Sequence, residues 1–554
     1  MYEENLRIIP LGGLGEVGRN MMILEWGDEA IIVDIGLNFP EEKTPGVDYV
    51  IPNISYLEKN KRKILGVILT HGHYDHIGAI PYILDKIGNP PLFGSAMTLG
   101  ITTKRQEEFP LKPKLRTNEI KAGDRIVLGP FTAEFFHQNH NVPDGHGVLI
   151  ETPVGNIIHT SDFKFDLTPT NAPPTNFDRL HEIASRGILL LMSDSTGAEA
   201  EGRSLSEKVI AENLDIIFEK AKGRIITATF ASLINRVQDI ITLSEKHGRK
   251  VVVEGYGMKT NIEIAKNLGL IKTKKGTFIP SEKASDYPDN KITILSTGAQ
   301  GEDNAALMRI LSKQHRHFQL KKGDSVVLSS SVIPGNERAV QNLKDDIMRQ
   351  GAYIFHSQMM DIHAKGHAQK EELRDMIRIM SPQFFLPIHG QYSMMASHAQ
   401  IAHEEGVPKS NIALIDNGFI ITINKEKLVI SKKPVPVAPV MVDGSGIGDV
   451  GGIVLHDRME LAESGIFVVI AVIDKKTRKI KNSPDIISRG FVYLRESQLL
   501  LTEVRKKVME IISRGGKQQK DVKDIKPEIK SKIEGFLYSK TGRRPMVLPV
   551  VIEV

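Results

Sequence analysis

Residues 66–82 read GVILTHGHYDHIGAIPY, and this stretch decides the fold. Val67 to Leu69 is a compact apolar run of the kind that forms a buried strand, and it stops at Thr70. His71, His73, Asp75 and His76 follow at once. Four such side chains on one turn read poorly as packing, because each needs a polar partner once buried. Imidazole and carboxylate are instead the ligand types suited to Zn²⁺ or Mn²⁺ where no thiol is present. His71 and His73 can face one side of the turn while Asp75 and His76 face the other, enough for two adjacent ions.

Two ions need further donors, and the chain offers them in similar settings. His140 follows a β-like run in AEFFHQNHNVPDG, Asp162 follows one in NIIHTSDFKFD, and His389 ends the run FFLPIHG. All three lie just past expected strand ends, so they can converge on one rim. His137, His146 and His159 are nearby competitors, separated from His140 only by spacing and context.

LGGLGEVGRN (residues 11–20) invites a different reading. Gly13-x-Gly15-x-x-Gly18, with Asp34 at the end of AIIVD, outlines a dinucleotide-binding fingerprint. That motif requires a helix after the third glycine. Here Met21–Trp26 and Ala30–Val33 are short apolar runs around Gly27-Asp28, the pattern of a β-hairpin, and no room remains for the helix. The glycines are therefore expected to allow tight backbone turns and close approach.

With 554 residues the chain should divide into several domains. Its 41% hydrophobic and 25% charged residues are ordinary for a soluble globular protein. No run reaches the ~18 apolar residues of a membrane span, and the N-terminus lacks signal-peptide design. The absence of cysteine excludes disulfides, thiolate nucleophiles and Cys-type metal sites. From Gly451 onward 21 Lys and Arg face 13 Asp and Glu, so this tail carries +8 of a total of +5 and the rest carries −3. Such a tail can attract a polyanion, or can simply present a solvated helix surface.

Residues 1–205 alternate short β-like runs with few helices. From 206 the rhythm changes: SEKVIAENLDIIFEKA and LINRVQDIITLSEKHG read as helices, and RIITATF and KVVVEG as strands. That alternation predicts an inserted parallel α/β layer up to about residue 360. KITILSTGAQ and DSVVLSSSVIPGNE each run from a strand into a glycine-bearing turn, and in open α/β sheets such ends face the ligand crevice. VPVAPVMVDGSGIGDVGG (435–452) reads as a linker before a small α/β domain.

HGHYDH is the H-x-H-x-D-H signature of the metallo-β-lactamase superfamily, which the chain resembles. The inserted layer and the late HAKGHA…IHG pair make it similar to the β-CASP branch, and within that branch to the ribonuclease J family. LGGLGEVGRN, THGHYDHIGAIPY, NVPDGHG, HTSDFKFD, SDST, SSSVIPGNE, HAKGHA and PIHGQY occur in that family's order, over essentially the whole chain. The resemblance implies an α/β fold: a metallo-β-lactamase αββα sandwich (1–205, completed by 361–432), a β-CASP parallel insert (206–360), a linker (433–452) and a C-terminal α/β assembly domain (453–554).

The resemblance also implies two Zn²⁺ per chain, with Mn²⁺ as the alternative. One ion would be held by His71, His73 and His140, the other by Asp75, His76 and His389, with Asp162 bridging and Asp34 behind as a buried neighbour of the histidine turn. The glycine turn of residues 11–20 would lie beside this metal rim, with Arg19 or Asn20 facing the RNA or supporting the ligands. Asp75, Asp194 and His367 would be catalytic. The loop His363, Ala364, Lys365, Gly366, His367 would grip the substrate phosphate opposite Ser330, Ser331 and Asn336. Lys365 departs from the family's usual serine, and can strengthen the phosphate contact or swing into solvent. Asp48 and Asp443 resemble a structural cation site, for example for Ca²⁺. The implied activity is zinc-dependent 5′-to-3′ exonuclease and endonuclease action on single-stranded RNA, leaving 5′-phosphates, in RNA maturation (including rRNA) and decay. The implied setting is a cytoplasmic homodimer or homotetramer that prefers 5′-monophosphate ends, works with RNA-decay partner proteins and has no membrane contact. The competing functions are an acyl or thioester hydrolase on the same metals and a non-catalytic RNA-binding scaffold.

Overall fold

In the computed structural model, residues 5–40, 44–60, 62–302, 304–333, 335–444, 446–448, 452–492, 497–517 and 521–554 are described. Parts of the expected linker (445 and 449–451) and Pro334 of SSSVIPGNE lie outside them. The chain divides into two compact units, Met1–Asn38 with Ile51–Pro439, and Phe39–Val50 with Val440–Val554.

The first unit holds two facing sheets. One has eight strands in the order Leu428–Ile430, Ile421–Ile423, Leu6–Gly12, Met21–Trp26, Glu29–Val33, Lys63–Ile68, Leu92–Gly94, Thr117–Glu119. The other has six: Phe384–Ile388, Ile188–Asp194, Gly155–His159, His146–Thr152, Phe131–His137, Arg125–Leu128. Leu6, Ile8, Leu24 and Val33 of the first sheet share a core with Phe131, Phe135, Leu190 and Leu386 of the second. Helices Phe177–Ala184, Lys370–Met380 and Tyr392–Glu404 cover the outer face of the six-stranded sheet. This is why its strands are apolar on both faces: Ile188–Asp194 is buried at every position.

The expected hairpin forms. Met21–Trp26 pairs antiparallel with Glu29–Val33 across the Gly27-Asp28 turn, so no helix follows Gly18. The inserted layer is also present: Lys250–Glu254, Ile292–Ser296, Ile225–Ala228, Ser325–Leu328 and Tyr353–His356 make an all-parallel sheet. Helices between its strands complete its core of Ile226, Val252, Ile294, Val326 and Leu343. Chain order places Ile225–Ala228 in the middle, so the ends of its neighbours flank a switch point.

In the second unit, Asp485–Arg489, Ile466–Ile473 and Met546–Glu553 form a three-stranded sheet backed by helices Gln498–Lys517 and Val522–Thr541. Within the stretch read as a linker, Val440–Asp443 and Gly446–Ile447 pair as short strands. Among the described residues no helix is long and apolar enough to cross a membrane.

Candidate metal and phosphate site

The histidine turn leaves the strand Lys63–Ile68 and enters a short helix, Tyr74–Ile77. Around it converge the carboxyl-terminal ends of four other strands, which deliver His140, Asp162, Asp194 and His389. Two groups of donor atoms result. His71, His73, His140 and Asp162 form one, and Asp75, His76, Asp162 and His389 form the other, each with its atoms within 4.8 Å of one another. A third, overlapping group is Asp162, Asp194, His367 and His389.

In the first group, His73 Nδ1 lies 3.0 Å from His71 Nε2 and 3.2 Å from His140 Nε2. Asp162 Oδ2 is 3.7 Å and 3.8 Å from the latter two. Ligands on a tetrahedral ion with bonds of about 2.0–2.1 Å sit roughly 3.3–3.4 Å apart, so the spacing suits Zn²⁺. Burial pushes the pKa of His73 down to about 4 and that of His140 to about 3, and holds His71 well below its usual value. Neutral imidazoles with converging lone pairs are what an ion requires. His140 Nδ1 donates to the Gly366 carbonyl at 2.7 Å, which leaves its Nε2 bare for the centre.

The second group is richer in carboxylate. His389 Nδ1 lies 2.9 Å from Asp162 Oδ1, and its Nε2 lies 3.2 Å from Asp75 Oδ2. His76 Nε2 is 3.4 Å from Asp162 and 3.5 Å from Asp75. Burial disfavours the charged imidazoles here, but the carboxylates outweigh it and hold His76 and His389 well above the usual histidine range. Asp162 thus belongs to both groups.

Behind the donors is a layer of braces. Asp34 accepts from Thr70 N and Thr70 Oγ1, both at 2.8 Å, and meets His76 Nδ1 at 2.7 Å. It is 1% exposed, so its expected place beside the turn is where the structure puts it. Asn20 Nδ2 donates to the Asp75 carbonyl at 3.0 Å, so this residue supports the ligands. Arg19 instead turns to Glu16 and the Val437 carbonyl. His389 N donates to the carbonyl of Gly13, whose φ of +87° and closeness to Asn20 exclude a side chain. Arg19, Asp34, Ser161 and His389 all adopt positive φ (56°, 61°, 59° and 51°), a concentration of backbone strain at this site.

His367 Nδ1 is 2.7 Å from Asp194 Oδ2. Burial works against its protonation, yet Asp194 and Asp162 raise its pKa, while Asp194 is held far below the usual carboxylate range. Ile362 O receives Ser329 Oγ at 2.7 Å, which brings the His363–His367 loop beside the Ser330–Ser331 turn. Ser330 is buried and Ser331 and Asn336 half-buried, whereas Lys365 is exposed. His363 and Ala364 are buried, and the pKa of His363 is pushed to about 3, chiefly by burial and next by Arg236.

The competing histidines take other parts. His137 sits against the Pro173 carbonyl, and His159 Nδ1 accepts from Ser161 N. In the second unit Gly444 N donates to Asp48 Oδ2, while Asp443 pairs with Arg458. Asp48 and Asp443 belong to none of the donor groups among the described residues. Sequence reasoning missed Ser232, whose Oγ lies 3.0 Å from His73 Nε2, and Thr196, whose Oγ1 donates to the His389 carbonyl. It also missed Gln300, which donates to Ser330 Oγ and the Ser331 carbonyl and accepts from Ile333 N. Two of these had a signal: Thr196 closes SDST, two residues after Asp194, and Gln300 closes KITILSTGAQ, one of the strand-end turns expected to face the ligand crevice.

Comparison with known proteins matches four family models. They are the metallo-beta-lactamase superfamily (residues 14–207), the ribonuclease J beta-CASP domain (222–347), the Zn-dependent metallo-hydrolase RNA specificity domain (355–412) and the ribonuclease J C-terminal domain (453–554). The chain is 38% identical to "Ribonuclease J 2" of Staphylococcus saprophyticus, over 100% of this chain and 99% of that one. It is 38% identical to "Ribonuclease J" of Thermus thermophilus, over 100% of this chain and 96% of that one. A crystal structure of a protein of unknown function from Enterococcus faecalis V583 shares the fold, with a TM-score of 0.53 at 16% identity, covering 76% of this chain and 100% of that one.

Proposed function

Since the chain belongs to the ribonuclease J family and is a metal-dependent, RNA-binding ribonuclease, we propose that it shortens single-stranded RNA from 5′-monophosphate ends in the 5′-to-3′ direction, with internal cleavage as a second activity. The observation that carries this reading is the meeting of the donor groups with the His363–His367 loop, which the Ser329–Ile362 bond sets beside the Ser330–Ser331 turn.

His71, His73 and His140 would hold one divalent ion, Asp75, His76 and His389 the other, and Asp162 both. Three imidazoles in the first group favour Zn²⁺, and the carboxylates of the second admit Mn²⁺. When bound, two such ions supply Lewis acidity toward a phosphate oxygen and lower the pKa of water from about 15.7 toward ~7. The chain's own side chains do the rest. Asp75 and Asp162 orient the attacking water in line with the leaving 3′ oxygen. Asp194 accepts from His367 Nδ1 and favours the doubly protonated imidazolium, whose Nε2–H can pass its proton to that oxygen. Ser330, Ser331 and the backbone of the His363–His367 loop fix the phosphate, so attack leaves a 5′-phosphate. Loops that grip a phosphate suit a nucleic-acid backbone, which a small acyl substrate lacks.

Assembly follows from the C-terminal sheet. One face packs on its helices, while Ile487, Leu548 and Ile552 on the other stay 44–49% exposed beside half-buried Val468 and Ile470. This apolar face would pair protomers. A time course on 5′-labelled RNA bearing a mono- or triphosphate tests the activity, with metal content measured alongside. About two ions per chain and release of mononucleotides from the monophosphorylated RNA are expected. Intact RNA with metal bound overturns the reading.

A further inference from the structure

Beneath the two phosphate-facing loops lies a buried charge network that the chemistry above does not use. Arg236, on the helix Ile234–Lys246, is 1% exposed. Its Nη1 donates to Ser329 Oγ at 2.5 Å and to the Ile362 carbonyl at 2.8 Å, and its Nη2 donates to Glu207 Oε2 at 2.5 Å. The other Glu207 oxygen accepts from Lys164 Nζ at 3.2 Å, and Glu207 N donates to Asp166 Oδ2. Lys164 and Asp166 are themselves 3.6 Å apart and fully buried. Two cations and two carboxylates therefore neutralise one another out of water.

Stability explains this poorly. Desolvating four charges is expensive, and well-packed apolar residues often serve a core as well or better. The partners are more informative. Ser329 immediately precedes Ser330 and Ser331, and Ile362 immediately precedes the His363–His367 loop, whose Gly366 carbonyl braces the donor His140. A single guanidinium thus bonds the roots of both loops. Its planar fork meets three acceptors at once, which an ammonium cannot reproduce. Lys164 extends the network to within two residues of Asp162.

We propose that Arg236 is a positioning residue: clamped by Glu207, it sets the spacing between the Ser330–Ser331 turn and the His363–His367 loop, and so the grip on the RNA phosphate. The inference rests on the phosphodiesterase reading above. Arg236→Lys keeps the charge opposite Glu207 but loses the fork. It should hold wild-type metal content and thermal midpoint while KM for 5′-monophosphorylated RNA rises about tenfold and kcat changes little, the signature of lost binding shared by ground and transition states. Arg236→Met/Glu207→Gln removes a charge of each sign, so a merely structural role predicts wild-type stability and wild-type KM together. The positioning role predicts wild-type stability with KM still raised. Wild-type KM in either variant, with the unaltered protein active, overturns this inference alone. An unaltered, metal-loaded protein that leaves the RNA intact overturns the phosphodiesterase reading and this inference with it.

Discussion

The metal-donor rim secures its side chains one at a time, whereas the rim opposite secures whole loops. His76 is braced by Asp34, His140 by the Gly366 carbonyl, His73 by Ser232 and His389 by Thr196 through its carbonyl. The loops proposed to face the phosphate present short hydroxyls and backbone, and Gln300 and Arg236 bond to them from behind. The difference follows from the chemistry. Metal coordination fixes particular atoms to tenths of an ångström, while a phosphate accepts many donors and needs only a cradle of the right width. The first rim should therefore fail abruptly on mutation and the second by degrees.

The sharpest way to break this contrast is at Asp162, which faces both donor groups. Asp162→Ala should reduce RNA cleavage to background and lower the metal bound per chain, with circular dichroism unchanged. Substantial residual activity would show that the donors do not act as a set. Dialysis against a chelator should give the same loss without unfolding, because the two sheets share an extensive apolar core that needs no ion; added Zn²⁺ or Mn²⁺ should restore cleavage. A protein that unfolds on chelation would make the metals structural. Asp34→Asn tests the braces. It keeps the volume but removes the charge behind His76, and should cost about 10- to 100-fold in activity or metal affinity. Smaller still is the effect expected on the opposite rim: Gln300→Ala should raise KM for RNA roughly threefold to tenfold, a loss on the order of 1 kcal/mol typical of a hydrogen-bonding side chain. An equal fall in kcat with KM unchanged would erase the distinction between the rims.

The two rims also differed in how far the sequence disclosed them. HGHYDH was readable because an apolar run ends abruptly in four ligand-type residues, and His140, Asp162 and His389 because each follows a similar run. Adjacency did the work: strand and ligand are neighbours in the chain. Arg236 had no such signal. In LINRVQD it looks like any arginine on a helix surface, and its partners Ser329 and Ile362 are 93 and 126 residues away. Gln300 reaches residues 30 to 33 positions on. The positive φ of Asp34 and His389 was equally hidden, since nothing in the residue type announces it. Glycines misled in the other direction: their pattern fitted a dinucleotide loop, and only the missing helix distinguished a turn beneath His389.

One further test reaches the floor of the metal rim and reads stability rather than activity. His398 is fully buried, with Nδ1 3.1 Å from Ser195 Oγ and its ring edge-on to Phe385 at 4.8 Å between centroids. Among the described residues its buried Nε2 has no hydrogen-bond partner, and burial pushes the pKa down to about 3. In the unfolded chain the imidazole takes up its proton near pH 6.5. The unfolded state therefore binds the proton first as pH falls. The stability His398 contributes is complete above about 6.5 and is lost progressively between there and about 3. At pH 5 the loss amounts to about 2 kcal/mol. His398→Gln fills the same space with a group that does not titrate, so the gap in thermal midpoint between it and the unaltered protein should shift in the variant's favour from pH 7 to pH 5. Parallel midpoint curves would mean that the imidazole finds a proton partner in the fold, and that the floor beneath Asp194 and His389 is more polar than its packing indicates.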